Sequence, residues 1–155
     1  MTTTESPTIT QHVQVAVKAS PADVWNALVD GDVTPAYYYG FRAEYDLAPG
    51  AAYRYTAGGG DVIFGKVVAI DPGRRLSVTF NGRWDPAVAA LPESTVTFTL
   101  EDPRMPFPGI TMLSLVHEGL ADDPAAAGLE SGWVTILSGL KTLLETGSPM
   151  IAGAA

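Results

Sequence analysis

The sequence contains no cysteine. This absence excludes disulfides, thiolate nucleophiles and zinc–thiolate sites together, and it fits a cytoplasmic protein. Bases are scarce: nine Lys and Arg stand against seventeen Asp and Glu, for a formal net charge of −8. Neutralising phosphates takes clustered cations, and no basic run occurs. Nucleic acid and anionic membrane surfaces are therefore poor partners. The acidity reads most simply as a solubility device. No apolar run approaches the roughly 20 residues of a membrane span, so no membrane insertion is expected. The opening Met1-Thr2-Thr3-Thr4-Glu5-Ser6-Pro7 has neither a positive start nor an apolar stretch, and no signal peptide is expected there. The two histidines, His12 and His117, lie far apart in the chain, and the scattered carboxylates show no ligand spacing. No metal and no cofactor are expected. Gly-x-Ser-x-Gly is missing, which argues against a serine nucleophile. Gly58-Gly59-Gly60-Asp61 lacks the following Lys-Ser or Lys-Thr of a phosphate loop, so it reads as a hairpin turn.

What is present is a set of short alternating segments closed by a helix. Val13, Val15 and Val17 alternate with His12, Gln14 and Lys18, which predicts a half-buried strand over 9–18 with His12 exposed. Ser20-Pro21-Ala22-Asp23 opens a helix with Ser20 as cap, and Gly31 stops it. A second short helix is predicted from Thr34-Pro35 to Tyr39. Its Tyr37, Tyr38 and Tyr39 would splay over about 200° of arc, so all three cannot be buried. Strands follow at 41–47, 52–56, 62–70, 76–80, 95–100 and 110–118, separated by Gly, Pro and Asn turn signals as in an antiparallel meander. Both parities of 62–70 are apolar, and Gly65 is a candidate bulge. Trp133, Ile136, Leu137, Leu140 and Leu144 make one apolar stripe, predicting a helix over 131–146 ended by Gly147. Asp122-Asp123-Pro124 reads as a helix start. Gly128, Gly132 and Gly139 each weaken a helix by about 1 kcal/mol relative to Ala, and they imply close packing or a break before residue 131.

This order of elements resembles the START and birch-pollen-allergen-like superfamily, also called SRPBCC. Within it, the chain is similar to the branch of the activator of the heat-shock-protein-90 ATPase. The likeness rests on Ser20-Pro21-Ala22-Asp23-Val24-Trp25-Asn26-Ala27-Leu28 and on Gly65-Lys66-Val67-Val68-Ala69-Ile70-Asp71-Pro72 with Arg75-Leu76. It continues in Ser94-Thr95-Val96-Thr97-Phe98, Leu113-Ser114-Leu115-Val116-His117-Glu118-Gly119 and Gly132-Trp133. The resemblance implies an α+β helix-grip fold. A seven-stranded curved antiparallel sheet would wrap a long C-terminal helix, with two short helices after the first strand. Residues 8–147 would form the single domain, with 1–7 and 148–155 as flexible tails. The fold carries many functions, so the resemblance names no substrate.

The site expected from this reading is a cavity between the sheet and the C-terminal helix. Its partner would be a small hydrophobic or aromatic molecule, since rings with polar tips both bury and orient such a ligand. The candidate ligand-binding residues are Tyr38 near the mouth, Tyr53, Tyr55, Phe80, Phe98, Leu113, Trp133 and Leu137. His117 shares parity with Leu113 and Leu115 and would be the interior polar group, either touching ligand or serving as a structural histidine. Three functions follow: carriage or binding of that molecule; a cyclase- or hydrolase-type enzyme using His117, Arg42, Arg54 or a tyrosine as acid or base; and a co-chaperone-like interaction domain. The resemblance also admits a homodimer.

Overall fold

The computed structural model describes residues 7–102 and 108–151. Most of the two expected tails lies outside the described residues. The strands are β1 (Thr8–Val17), β2 (Arg42–Tyr45), β3 (Ala52–Ala57), β4 (Gly60–Asp71), β5 (Arg75–Gly82), β6 (Ser94–Glu101) and β7 (Thr111–Ala121). The helices are α1 (Pro21–Val29), α2 (Pro86–Ala89), α3 (Pro124–Ala127) and α4 (Leu129–Thr146). All seven strands form one antiparallel sheet in the order β1-β7-β6-β5-β4-β3-β2. Six consecutive strands make the meander, and the N-terminal strand closes it against β7. This is the helix-grip architecture, with α4 laid across the curved sheet.

Alternation decides the inner face. Leu113, Leu115 and His117 of β7 are fully buried, as are Leu76 and Val78 of β5 beside Val96 and Phe98 of β6. Trp133, Ile136, Leu137 and Leu140 of α4 meet them, which is the apolar stripe read from the sequence. His12 is exposed. In β4 the parity resolves with Ile63, Gly65 and Val67 inward. The register shift falls between Val67 and Ala69 rather than at Gly65, and it leaves Val68 half-exposed. Gly65 has another role. A Cβ there would lie 2.3 Å from the Thr79 carbonyl oxygen, so only glycine lets the strands approach this closely.

The helices begin and end for local reasons. Ser20 Oγ accepts from the Asp23 N–H at 3.1 Å, capping α1 as expected. α1 ends at Val29, two residues before Gly31. That glycine is required by packing, because its Cβ would meet the Ala43 carbonyl oxygen at 2.2 Å. The second helix shrinks to a single 3-10 turn, Thr34–Ala36. A continuous helix would have turned Tyr37 and Tyr38 to diverging sides. The chain leaves the helix instead, burying both rings and putting Tyr39 into the left-handed region at φ 53°.

Two one-turn helices were not foreseen as separate elements. Asp85-Pro86-Ala87-Val88-Ala89 and Asp123-Pro124-Ala125-Ala126-Ala127 repeat one pattern. Each Asp caps its turn by accepting the N–H two residues on, at 2.8 Å, and each Pro occupies the first helical position. α3 runs into α4 through Gly128, which keeps right-handed helical angles of φ −67° and ψ −19°. Of the two expectations for these glycines, close packing or a break before residue 131, Gly128 shows the break, as the junction between α3 and α4.

Candidate functional site

His117 sits at the end of the inner row of β7, where α4 begins to cross the sheet. The Trp133 indole N–H donates to His117 Nδ1 at 3.0 Å, and His117 Nε2 lies 2.7 Å from Ser94 Oγ. An indole nitrogen can only donate, so Nδ1 is the bare nitrogen and the ring proton sits on Nε2. Nε2–H therefore donates to Ser94. Burial holds the imidazole neutral by lowering its pKa from 6.5 to about 4. The serine–histidine distance matches that of a nucleophile and its base, but the proton is already on the wrong nitrogen. In a catalytic triad the third group accepts from Nδ1–H; here it donates to Nδ1. Both ring nitrogens of His117 are thus engaged by side chains.

Beside it lies a cluster of tyrosines. Tyr38 packs on Tyr55 with centroids 4.6 Å apart and meets Trp133 edge-on at 6.0 Å. Tyr45 and Tyr53 stack at 5.0 Å. The Tyr45 and Tyr55 hydroxyls share a hydrogen bond of 2.9 Å, Tyr53 donates to the Thr79 carbonyl, and Tyr37 donates to the Ala27 carbonyl. Burial pushes the phenols of Tyr37, Tyr38, Tyr45, Tyr53 and Tyr55 upward, so none ionises near neutrality. Arg42 pairs with Asp32, and Arg54 with Glu44 and Asp61. Both guanidinium groups are about half exposed.

A cleft of about 650 Å³ opens between the N-terminal half of α4 and the turns that face it. Tyr38, Phe80 and Trp133 form its floor. Tyr39, Phe41 and Trp84 stand at its rim, α2 and α3 flank it, and Gly128, Ser131, Gly132 and Thr135 give α4 a bare wall. Trp84 is 41% exposed and folds over Gly82, where a Cβ would come within 2.6 Å of the indole. Tyr39 is 51% exposed. The volume is in the range of small-molecule pockets. A second hollow of about 650 Å³ lies at the β2–β4 edge, where Glu44, Asp46, Arg54, Asp61 and Arg83 give it a charged lining. Among the described residues no three His, Asp or Glu side chains gather as a metal-binding group, and no helix is long and apolar enough to cross a membrane.

The family model for Activator of Hsp90 ATPase homolog 1-like protein matches residues 18–145. The chain belongs to this family. Among solved structures it is similar to DynU16, a protein of the dynemicin biosynthetic locus, at 26% identity and a TM-score of 0.70. That match covers 90% of this chain and 48% of DynU16, so the chain spans about half of DynU16. It is also similar to MLL2253 of Mesorhizobium loti, at 27% identity and a TM-score of 0.69, covering 88% of this chain and 97% of that one. The Aha1 dimer of Colwellia psychrerythraea shares the fold at 19% identity and a TM-score of 0.69, over 90% of this chain and 98% of that one. No curated protein matches the chain.

Against this Aha1-like fold, the nine expected ligand-binding residues divide into two groups. Tyr38, Phe80 and Trp133 line the cleft. Tyr53, Tyr55, Phe98, Leu113, Leu137 and His117 are buried behind it. The reason is that Trp133 and the tyrosines fill the space near the sheet centre, which moves the open volume outward to the mouth. Ser94, Tyr39, Phe41 and Trp84 are not among those nine. Ser94 stands opposite Phe80 in the β5–β6 register, one strand from His117, but nothing local marks it as a partner. Trp84 directly precedes the cap of α2, and the paired Asp-Pro-Ala pentapeptides of α2 and α3 were the available signal for that side of the rim.

Proposed function

We propose that this Aha1-like domain binds a small, apolar, aromatic molecule in the cleft between α4 and the α2–α3 turns, as a binding or carrier protein. The observation that carries the reading is the wall itself. Tyr38, Tyr39, Phe41, Phe80, Trp84 and Trp133 surround one cleft of about 650 Å³, and two of these rings are left substantially exposed at its rim. Rings held open to solvent around a concavity suit a flat apolar guest. Similarity to a protein of the dynemicin biosynthetic locus supports a small-molecule setting. Binding is favoured over catalysis because both His117 nitrogens are engaged, the phenols are held protonated, and Arg42 and Arg54 lie outside the cleft lining. The co-chaperone-like reading draws only on the family's name.

Gly132→Leu tests the reading. Gly132 lies on the cleft wall, and its nearest neighbour for a new Cβ is the Tyr39 hydroxyl at 3.7 Å. Leucine there narrows the cleft beside Trp133 and Tyr39 while improving helix propensity by about 1 kcal/mol. Aromatic ligands from a broad panel should quench Trp84 and Trp133 emission and raise the melting temperature of the wild type by mass action. The variant should fold and lose both responses. A ligand bound equally well by Gly132→Leu would place the site elsewhere.

A further inference from the structure

The charges around the cleft are one-sided. Among the described residues its wall contains no Lys, Arg or His, and its one carboxylate is Asp85. One Asp85 oxygen caps α2 by accepting the Ala87 N–H, which leaves the other free to meet a ligand. The whole chain is acidic, at −8. Resting on the binding reading above, we propose that the cleft selects aromatic molecules carrying an amine or another cationic group and rejects aromatic carboxylates, with Asp85 as the specificity-determining counter-ion.

Two features act together. Ring faces attract cations through their quadrupole, and the rim supplies Tyr39, Phe41 and Trp84. Asp85 stands next to Trp84 in the chain and at the same edge of the cleft, so one ammonium can reach both a ring face and a carboxylate. The competing idea is an anion held by the positive end of α4, since Gly128, Leu129, Ser131 and Gly132 line the cleft. The local structure opposes it. The turn that leads into α4 already has a carboxylate on its own N–H end, where Asp123 accepts from the Ala125 N–H. Glu130 adds a further negative charge in the first turn of α4. A carboxylate ligand would meet Asp85 at the wall and Glu130 on the adjoining turn of α4, and no cation among the described lining residues.

The test uses three ligands of one shape on the 155-residue chain: naphthylmethylamine, naphthylmethanol and naphthoate. Affinities are read by calorimetry and tryptophan quenching at low and at physiological salt. The amine should bind about tenfold more tightly than the carboxylate, with the alcohol between them, and salt should narrow the spread. Asp85→Asn keeps a helix-capping side chain, so the fold should persist. It should weaken the amine about threefold and leave the alcohol unchanged. Asp71→Asn, on the β4–β5 turn, reports any effect of net charge alone. Equal affinities, or a preference for naphthoate, overturn the charge selectivity while leaving the cleft reading in place. An amine preference that survives Asp85→Asn, or falls equally with Asp71→Asn, overturns the assignment to Asp85. Failure of all three ligands overturns both readings.

Discussion

The two halves of α4 do different things. From Leu140 onward the helix is committed to packing. Leu140 is fully buried, Leu143 and Leu144 pack against the core, and Lys141 donates to the Ala16 carbonyl while pairing with Glu145. From Leu129 to Ile136 it carries Gly132, Ser131 and Thr135 on the cleft, with Trp133 and Ile136 reaching inward. The small residues that weaken the first half as a helix are what leave room beside it. Trp133 joins the two regimes. Its indole nitrogen ties into the core through His117 while its ring floors the cleft.

The largest test of that junction is Trp133→Ala. It removes a buried aromatic and leaves His117 Nδ1 without a donor, so it should cost about 3–5 kcal/mol in urea denaturation. Trp133→Phe keeps ring volume but not the N–H. It should cost about 1–3 kcal/mol, the penalty for stranding a buried acceptor. A Trp133→Phe variant as stable as wild type would mean that the hydrogen bond adds nothing beyond packing.

The next effect concerns pH. Unfolded, the His117 imidazole titrates near 6.5; folded, burial lowers it to about 4. Across that window the unfolded chain binds the extra proton, so stability falls as the pH drops through it and levels off below. The loss should approach about 3 kcal/mol. Carboxylates contribute their own acid slope, so the measurement is the difference in slope between wild type and His117→Gln over about pH 7 to 4. Glutamine can still accept from Trp133 and donate to Ser94, but it does not titrate. Parallel slopes would show that His117 takes up its proton in the folded state.

How far the sequence spoke follows the same division. The packed half was plain, because burial enforces periodicity. The 3-1-3 spacing from Trp133 to Leu140 and the alternation Leu113, Leu115, His117 are consequences of one apolar face, and both appear as read. The cleft was much less plain. Its position depends on whether the core fills, and that is a volume question which alternation does not answer. It depends also on Tyr37-Tyr38-Tyr39 leaving the helix, and on two four-residue turns too short to show a period. The His117 partners, Ser94 and Trp133, come from different elements, and only the folded register brings them together.

Glycine substitutions sharpen the comparison between the halves at a scale of about 1 kcal/mol. Gly132→Ala adds a methyl where the nearest atom is the Tyr39 hydroxyl at 3.7 Å. It should raise stability by about 0.4–1 kcal/mol, since alanine loses less entropy in a helix. Gly139→Ala meets Tyr37 Cβ at 3.2 Å. Crowding should cancel the same gain or reverse it. Thermal melts of the two variants should therefore separate in sign. If Gly139→Ala is also stabilising, the packed half has more slack than its geometry implies.

The smallest effect lies at the rim, and it tests whether strain there serves the cleft. Tyr39 holds φ at 53°, a conformation that disfavours an aromatic side chain by about 1–2 kcal/mol. Its ring is half exposed, so packing returns little of that. Asparagine tolerates left-handed angles much better. Tyr39→Asn should therefore leave stability unchanged or raise it by up to about 1 kcal/mol, despite losing an aromatic ring. The same variant should weaken an aromatic ligand, because Tyr39 stands over the bare wall at Gly132 and closes one side of the rim. Melting temperature without ligand and affinity with ligand should thus move in opposite directions. If both fall together, Tyr39 is a packing residue whose strain is incidental. If neither changes, the rim takes no part in binding, and the guest must rest on the floor made by Tyr38, Phe80 and Trp133 alone.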